Sequence, residues 1–132
     1  MRIGVNMMKS SSNEEQILAK YNDNMRRNDN AIMGIEKRKR ELEDKVEFLF
    51  ECRRQLGFYL ENSRNAHAGT SEYYLIDQLD METHEEEIKL RRLYDEVREE
   101  LEKEEEELYE QQEEIKRKYR EEINAYYNKG VS

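Results

Sequence analysis

The sequence predicts an all-α protein, a long antiparallel two-helix coiled-coil hairpin. Three observations carry that reading. The 132 residues contain no proline, a residue that costs roughly 3 kcal/mol inside a helix. Apolar residues recur at alternating spacings of three and four over most of the chain, the pattern of a coiled-coil seam. The charge is divided unevenly. Residues 1–66 carry 13 Lys+Arg against 11 Asp+Glu, a net of +2, and residues 67–132 carry 10 against 21, a net of −11. Two such halves attract when they lie side by side. Charged residues make up 42% and apolar residues 36% of the chain. That is too polar for a thick globular core, and too apolar and too regularly patterned for plain disorder.

Residues 1–12 are expected to be a disordered leader, with Met1, Met7 and Met8 as alternative starts. Ser12-Asn13-Glu14-Glu15 reads as a capping box, in which Ser12 accepts from the Glu15 amide and Glu15 reaches back. The first helix is then expected over about 13–62. Its seam is Leu18, Tyr21, Met25, Asn28, Ile32, Ile35, Lys39, Leu42, Val46, Leu49, Arg53, Leu56, Leu60 and Ser63. The small, polar stretch 62–71 holds Gly69, Thr70 and Ser71 and reads as the turn. The second helix is expected over about 72–127, followed by a tail at 128–132. Its seam is Ile76, Leu79, Thr83, Leu90, Tyr94, Val97, Leu101, Glu104, Leu108, Gln111 and Ile115. The register then slips by one to Tyr119, Ile123 and Tyr126. With the turn centred near 66, Arg26 and Arg27 are expected to face Glu106 and Glu107, and Lys37 and Arg38 to face Glu96 and Asp95. The domain organisation is therefore one helical hairpin over 13–127.

Near the turn the apolar surface exceeds what one seam needs. Val46, Phe48, Leu49, Phe50, Cys52, Leu56, Phe58, Tyr59 and Leu60 wrap well over half of the first helix, and Tyr73, Tyr74, Leu75 and Ile76 do the same for the second. Six of the twelve aromatic residues fall between Phe48 and Tyr74. A helix apolar on several faces is buried on several faces, and exposed aromatic patches mark interaction sites. Phe48, Phe50, Phe58, Tyr59, Tyr73, Tyr74 and Ile76 are therefore the candidate partner-binding residues. Closure of the hairpin end, or a homodimer when the chain is alone, are the alternative covers.

Enzymatic chemistry is not expected, nor is any cofactor or bound metal. His67 and His84 are the only histidines, and Cys52 is the only cysteine. Asp80 and His84 share a helix face, but the repeated Glu-x-x-His of a carboxylate-bridged metal site is missing. Cys52 has no base nearby in sequence and reads as a small hydrophobe. Lys37-Arg-Lys-Arg40 ahead of Leu42, Leu49 and Leu56 resembles a basic region with a zipper. Glu36, Glu41, Glu43 and Asp44 dilute its charge, and the zipper stops after three leucines. A net charge of −9 repels phosphate, so neither nucleic acid nor an anionic membrane is an expected partner. No run approaches the length of a membrane span, and a lone cysteine fits a reducing cytoplasm.

Four stretches carry a family resemblance: Leu56-Gly-Phe-Tyr-Leu60, Tyr73-Tyr-Leu-Ile-Asp-Gln-Leu79, Leu101-Glu-Lys-Glu-Glu-Glu-Glu-Leu108-Tyr109 and the run from Arg117 to Ile123. With size and hairpin shape, they make residues 15–125 similar to the small helical targeting partners of LXG-type toxins in the type VII secretion system, a domain-of-unknown-function family. The resemblance implies a non-enzymatic adaptor. It would bind the helical N-terminal domain of a toxin together with a second small helical partner protein and target the toxin for export, in the cytoplasm or co-exported with its partner. It also implies a Tyr-x-x-x-Asp/Glu export signal, matched here by Tyr73 with Asp77 and by Tyr109 with Glu113. The chain has no tryptophan and so lacks the Trp-x-Gly turn of the better-known secreted hairpins. That leaves the signal to these tyrosine elements or to the partner. The alternative readings are a coiled-coil stalk or chaperone-like component of another secretion apparatus, and a dimeric zipper-type DNA-binding regulator.

Overall fold

The computed structural model describes the backbone of residues 2–131 and the side chains of residues 13–129. Two helices account for nearly all of it: α1 is Arg2–Ala66 and α2 is Ser71–Val131. They run antiparallel and pack against each other as a helical hairpin, and no strand occurs among the described residues.

Both helices are longer than the sequence predicts. α1 begins at Arg2, so its backbone takes in residues 2–12, expected to be a leader. Nothing in that stretch stops a helix: it holds no proline, and each of its serines costs only about 0.5 kcal/mol relative to alanine. α2 runs to Val131 across most of the expected tail. The turn shrinks from 62–71 to residues 67–70. Gly69 makes it possible, with the only positive φ among the described residues, 80°, a conformation that costs other residues about 1–2 kcal/mol. The Thr70 amide and hydroxyl both donate to the His67 carbonyl, at 3.0 and 2.6 Å. Glu72 sits in the first turn of α2. Its own backbone amide, then the Thr70 and Ser71 side chains, hold its carboxyl below the ordinary range, as expected of an anion at a helix N-terminus.

The chain divides into two compact units. The first comprises Met1–Glu36 and Lys103–Ser132. Ile32 and Ile35 are buried in it, and Tyr21 stacks on Tyr119 with ring centroids 4.3 Å apart. Asn28 is only 5% exposed. Its Nδ2 donates to the Leu108 carbonyl at 2.8 Å, while its Oδ1 has no partner. Gln112 donates to Asp29 at 2.9 Å, and the Tyr127 hydroxyl donates to Glu14 at 2.8 Å.

The second unit is Lys37–Glu102 and holds the turn. Val46, Leu60 and Leu101 are its buried apolar residues. Ion pairs interrupt this apolar seam. Arg53 lies 3.5 Å from Asp80 and 3.3 Å from Glu87, and Arg64 lies 3.2 Å from Asp77 and 2.7 Å from Asp80. The Arg53 Nε is close to Glu87 but not aligned to donate, so it is left without a hydrogen bond.

The register differs from the expected one. Ala66 and Ser71 flank the turn and add to 137. Helical side chains lean about one position toward their own N-terminus, which in an antiparallel pair raises the sum for facing residues to about 139–141. In the first unit Tyr21 and Tyr119 add to 140, and in the second Arg64 and Asp77 add to 141. The ion pairs expected from a sum near 133 are therefore replaced. Arg26 and Arg27 bond to Asp23 on their own helix, at 2.8 and 3.2 Å, rather than to Glu106 and Glu107. Lys37 lies 4.0 Å from Glu41 rather than against Glu96.

The seam shifts too. Ile17, Phe50 and Gly57 turn inward where Leu18, Leu49 and Leu56 are expected, and Asp80, Glu105 and Gln112 replace Leu79, Glu104 and Gln111. Glu87 fills the gap left between Thr83 and Leu90. From 105 to 126 the inward positions of α2 keep their alternation, without the slip expected after Ile115.

Candidate partner-binding face

In the Lys37–Glu102 unit α1 carries two ladders. Val46, Phe50, Arg53, Gly57, Leu60 and Arg64 face α2 and are buried or half-buried. At 100° per residue, Leu49, Cys52, Leu56 and Tyr59 form a second ladder on one flank, with Phe48 at its outer edge. All five are exposed, Phe48 by 68% and Tyr59 by 69%. On α2 the exposed Leu75, Leu79 and Leu93 fall on the flank of the same hand. In an antiparallel pair, flanks of the same hand face the same side. The two helices therefore present one apolar face, crossed on α2 by Glu82, Glu86 and Lys89, which are also exposed.

Fully exposed aromatic side chains offer about 150–250 Å² each, and leucines somewhat less, so the exposed fractions sum to roughly 700 Å² of apolar surface. The largest patch on a typical monomer is about 300–600 Å². A shallow depression beside Phe48 and Leu49, rimmed by Asp44 and Lys45, lies at one end of the face.

The structure sorts the seven candidate residues into three groups. Phe48 and Tyr59 lie on this face. Phe58 and Tyr74, exposed by 63% and 76%, lie on the opposite flank with Met81 and Ile88. Phe50, Tyr73 and Ile76 are half-buried. The Arg91 guanidinium sits 4.5 Å from the Phe50 ring centroid, and Tyr73 meets Tyr74 edge to face at 5.8 Å. Sequence reasoning placed Leu49 and Leu56 in the seam and gave Leu79 to the core. Leu93 escaped notice. The signal that finds them is the second three-four ladder, at 75, 79, 82, 86, 89 and 93 on α2.

The two tyrosine elements differ in setting. Asp77 is held by Arg64 at 3.2 Å, and Tyr73 is half-buried beside it. Tyr109 is exposed in the other unit, where Glu113 pairs with Lys116 at 3.5 Å.

The polar groups of the seam are spent on one another. Asp80 is shared between Arg53 and Arg64, and Glu87 is held by Arg53 and by Arg91 at 3.1 Å. The Asp80 hydrogen bond, the largest influence on Arg64, raises the pKa of its guanidinium. His84 approaches Glu87 at 3.9 Å from an exposed position. Among the described residues no three His, Cys, Asp or Glu side chains are grouped as metal ligands require. Among the described residues no helix is long and apolar enough to cross a membrane.

No protein-family model, curated protein or solved structure matches the chain.

Proposed function

We propose that this chain is a non-enzymatic adaptor that binds the helices of another protein along the apolar face of its Lys37–Glu102 unit. The observation that carries this is the face itself, roughly 700 Å² of apolar side chains left uncovered by either helix. A standard interface takes about 800 Å² from each partner, so docked helices would bring the site to the size of a stable complex. Its flat, ladder-like form suits the ridges of other helices more than a small molecule, which needs a concave pocket.

The partner we propose is the helical N-terminal domain of an LXG-type toxin, bound with a second small helical protein for targeting to the type VII secretion system. That identity rests on the family resemblance of residues 15–125. Tyr73 with Asp77, and Tyr109 with Glu113, are the proposed export elements. In this reading the adaptor acts in the cytoplasm and leaves with the toxin if its own element is the one recognised.

The test is co-expression with the toxin domain encoded beside it, followed by affinity purification. A stoichiometric complex is expected, and Phe48→Asp with Tyr59→Asp should abolish it while leaving helicity unchanged. Failure of the wild-type chains to co-purify refutes the toxin assignment.

A further inference from the structure

We propose that the free protein forms a symmetric dimer through this same face, with the two-fold axis level with residues 54 and 86. The inference rests on the face described above and not on the identity of the toxin.

A two-fold interface must be self-complementary: if residue i meets residue j of the partner copy, j must meet i. The exposed ladder of α1 satisfies this in its spacing. Leu49, Cys52, Leu56 and Tyr59 are three, four and three residues apart, a pattern that reads the same in both directions about position 54. A second copy running the opposite way places Leu49 on its Tyr59 and Cys52 on its Leu56. All four positions then bury apolar against apolar.

The ladder of α2 has its own centre. Leu79, Glu82, Glu86, Lys89 and Leu93 run apolar, acidic, acidic, basic, apolar. About position 86 the two leucines exchange with each other, and Glu82 falls one residue, about 1.5 Å along the helix, from Lys89 of the other copy, within reach of two flexible side chains. The two centres, 54 and 86, add to 140. That lies within the spread of facing pairs in this unit, from 133 for Arg53 with Asp80 to 144 for Arg64 with Asp80, and equals the sum for Arg53 with Glu87. One axis perpendicular to the helices therefore satisfies both ladders. Nothing in the sequence of α1 requires the charge pattern of α2 to centre at the same level, and this coincidence points to a second copy of the chain as the occupant.

The polar groups involved are free to adjust. Glu82 accepts from Gln78 at 3.2 Å, and Lys89 lies 3.3 Å from Glu86, both on the surface of one helix. Exposed pairs of this kind contribute little and exchange easily. One contact is adverse: the Glu86 carboxylates of the two copies meet near the axis. In area, two faces of roughly 700 Å² reach the 1,200–2,000 Å² total of a stable interface.

A homodimer and a partner's helices then compete for one surface, so binding exchanges a second copy for the partner.

The test uses the full-length protein in light scattering at tens of micromolar. A mass twice the chain's 16.1 kDa is expected. Tyr59→Asp should give a monomer of unchanged helicity, because that side chain is 69% exposed. Glu82→Lys should weaken the dimer about tenfold, and adding Lys89→Glu should restore it. Glu86→Gln should tighten it a few-fold by removing the like-charge pair. Helices packed at about 8–10 Å bring the two copies of Cys52 within reach of a short bis-maleimide. The native cysteine should therefore cross-link, and Cys52→Ser with Phe58→Cys on the opposite flank should not. A monomeric wild type overturns the inference, as does a dimer indifferent to Tyr59→Asp and Glu82→Lys or one cross-linked through position 58 alone. Toxin binding by a strict monomer would refute the dimer and spare the proposed function. A dimer that binds no toxin would do the reverse.

Discussion

Arg53 is the side chain on which the seam of the turn-bearing unit can be tested most directly. Its side chain is 18% exposed, and its guanidinium lies between Asp80 at 3.5 Å and Glu87 at 3.3 Å. Arg53→Met keeps the aliphatic stem, which covers apolar surface, and removes only the charge. Breaking a fully buried pair by deleting one partner costs about 3–5 kcal/mol, because the other charge is stranded. Here the stranding is partial. Asp80 keeps Arg64 at 2.7 Å, Glu87 keeps Arg91 at 3.1 Å, and both carboxylates retain some access to water. The expected loss is therefore about 1–3 kcal/mol, below the fully buried figure. Guanidinium chloride unfolding followed by far-ultraviolet circular dichroism reads it as a lower midpoint at constant slope. The double change Arg53→Met with Glu87→Met should recover most of the loss, since an apolar pair of similar volume commonly equals a buried ion pair. A single-variant loss under about 0.5 kcal/mol, inside the range of exposed pairs, would refute the view that Arg53 is held by its burial. So would a double variant no more stable than the single.

Two further outcomes are expected. Asn28→Leu should stabilise the protein by about 1 kcal/mol, because removing a buried oxygen without a partner and adding apolar volume outweigh the one hydrogen bond lost from Nδ2 to the Leu108 carbonyl. A single buried asparagine specifies register, so paired spin labels on α1 and α2 should report a broader distance distribution in this variant. Unchanged stability and unchanged distances would contradict that role. Tyr127 should titrate above the ordinary tyrosine value of 10.0, because its hydroxyl donates to the Glu14 carboxylate. Its folded-state pKa is raised, so its contribution to stability is whole below the ordinary value and is lost as pH rises through the raised one. Ultraviolet difference titration should show one late tyrosine that Glu14→Gln returns toward the rest.

Much of the architecture is legible before any coordinates. The missing proline and the three-four ladder make two helices almost unavoidable, and Gly69 marks the turn because only glycine takes its φ without strain. Inward placement of Tyr21, Asn28, Ile32, Ile35, Val46 and Leu60 follows from period alone. The details that depend on register do not. Hydropathy cannot say that Asp80 and Glu87 point inward in preference to Leu79, because their inward position is stabilised by Arg53 and Arg64 of the other helix. For the same reason Leu79, Leu49 and Leu56 read as seam residues from sequence, although all three are exposed. The aromatic excess near the turn was visible as composition, but its division onto opposite flanks was not.

The sequence by itself determined that this chain is helical, that it folds back near Gly69, and that its turn-proximal half carries more apolar surface than two helices consume. These follow from local propensity and from a period of 3.6 residues, which each helix expresses without reference to the other. The tertiary structure decided which face stays uncovered. That choice depends on which residues turn inward: Phe50 and Gly57 do so in place of Leu49 and Leu56, and Asp80 in place of Leu79. The shift of the facing sum from about 133 to about 140 then sets which residues of α1 and α2 lie at the same level. Leu49 to Tyr59 and Leu79 to Leu93 become a single apolar face only in the observed register.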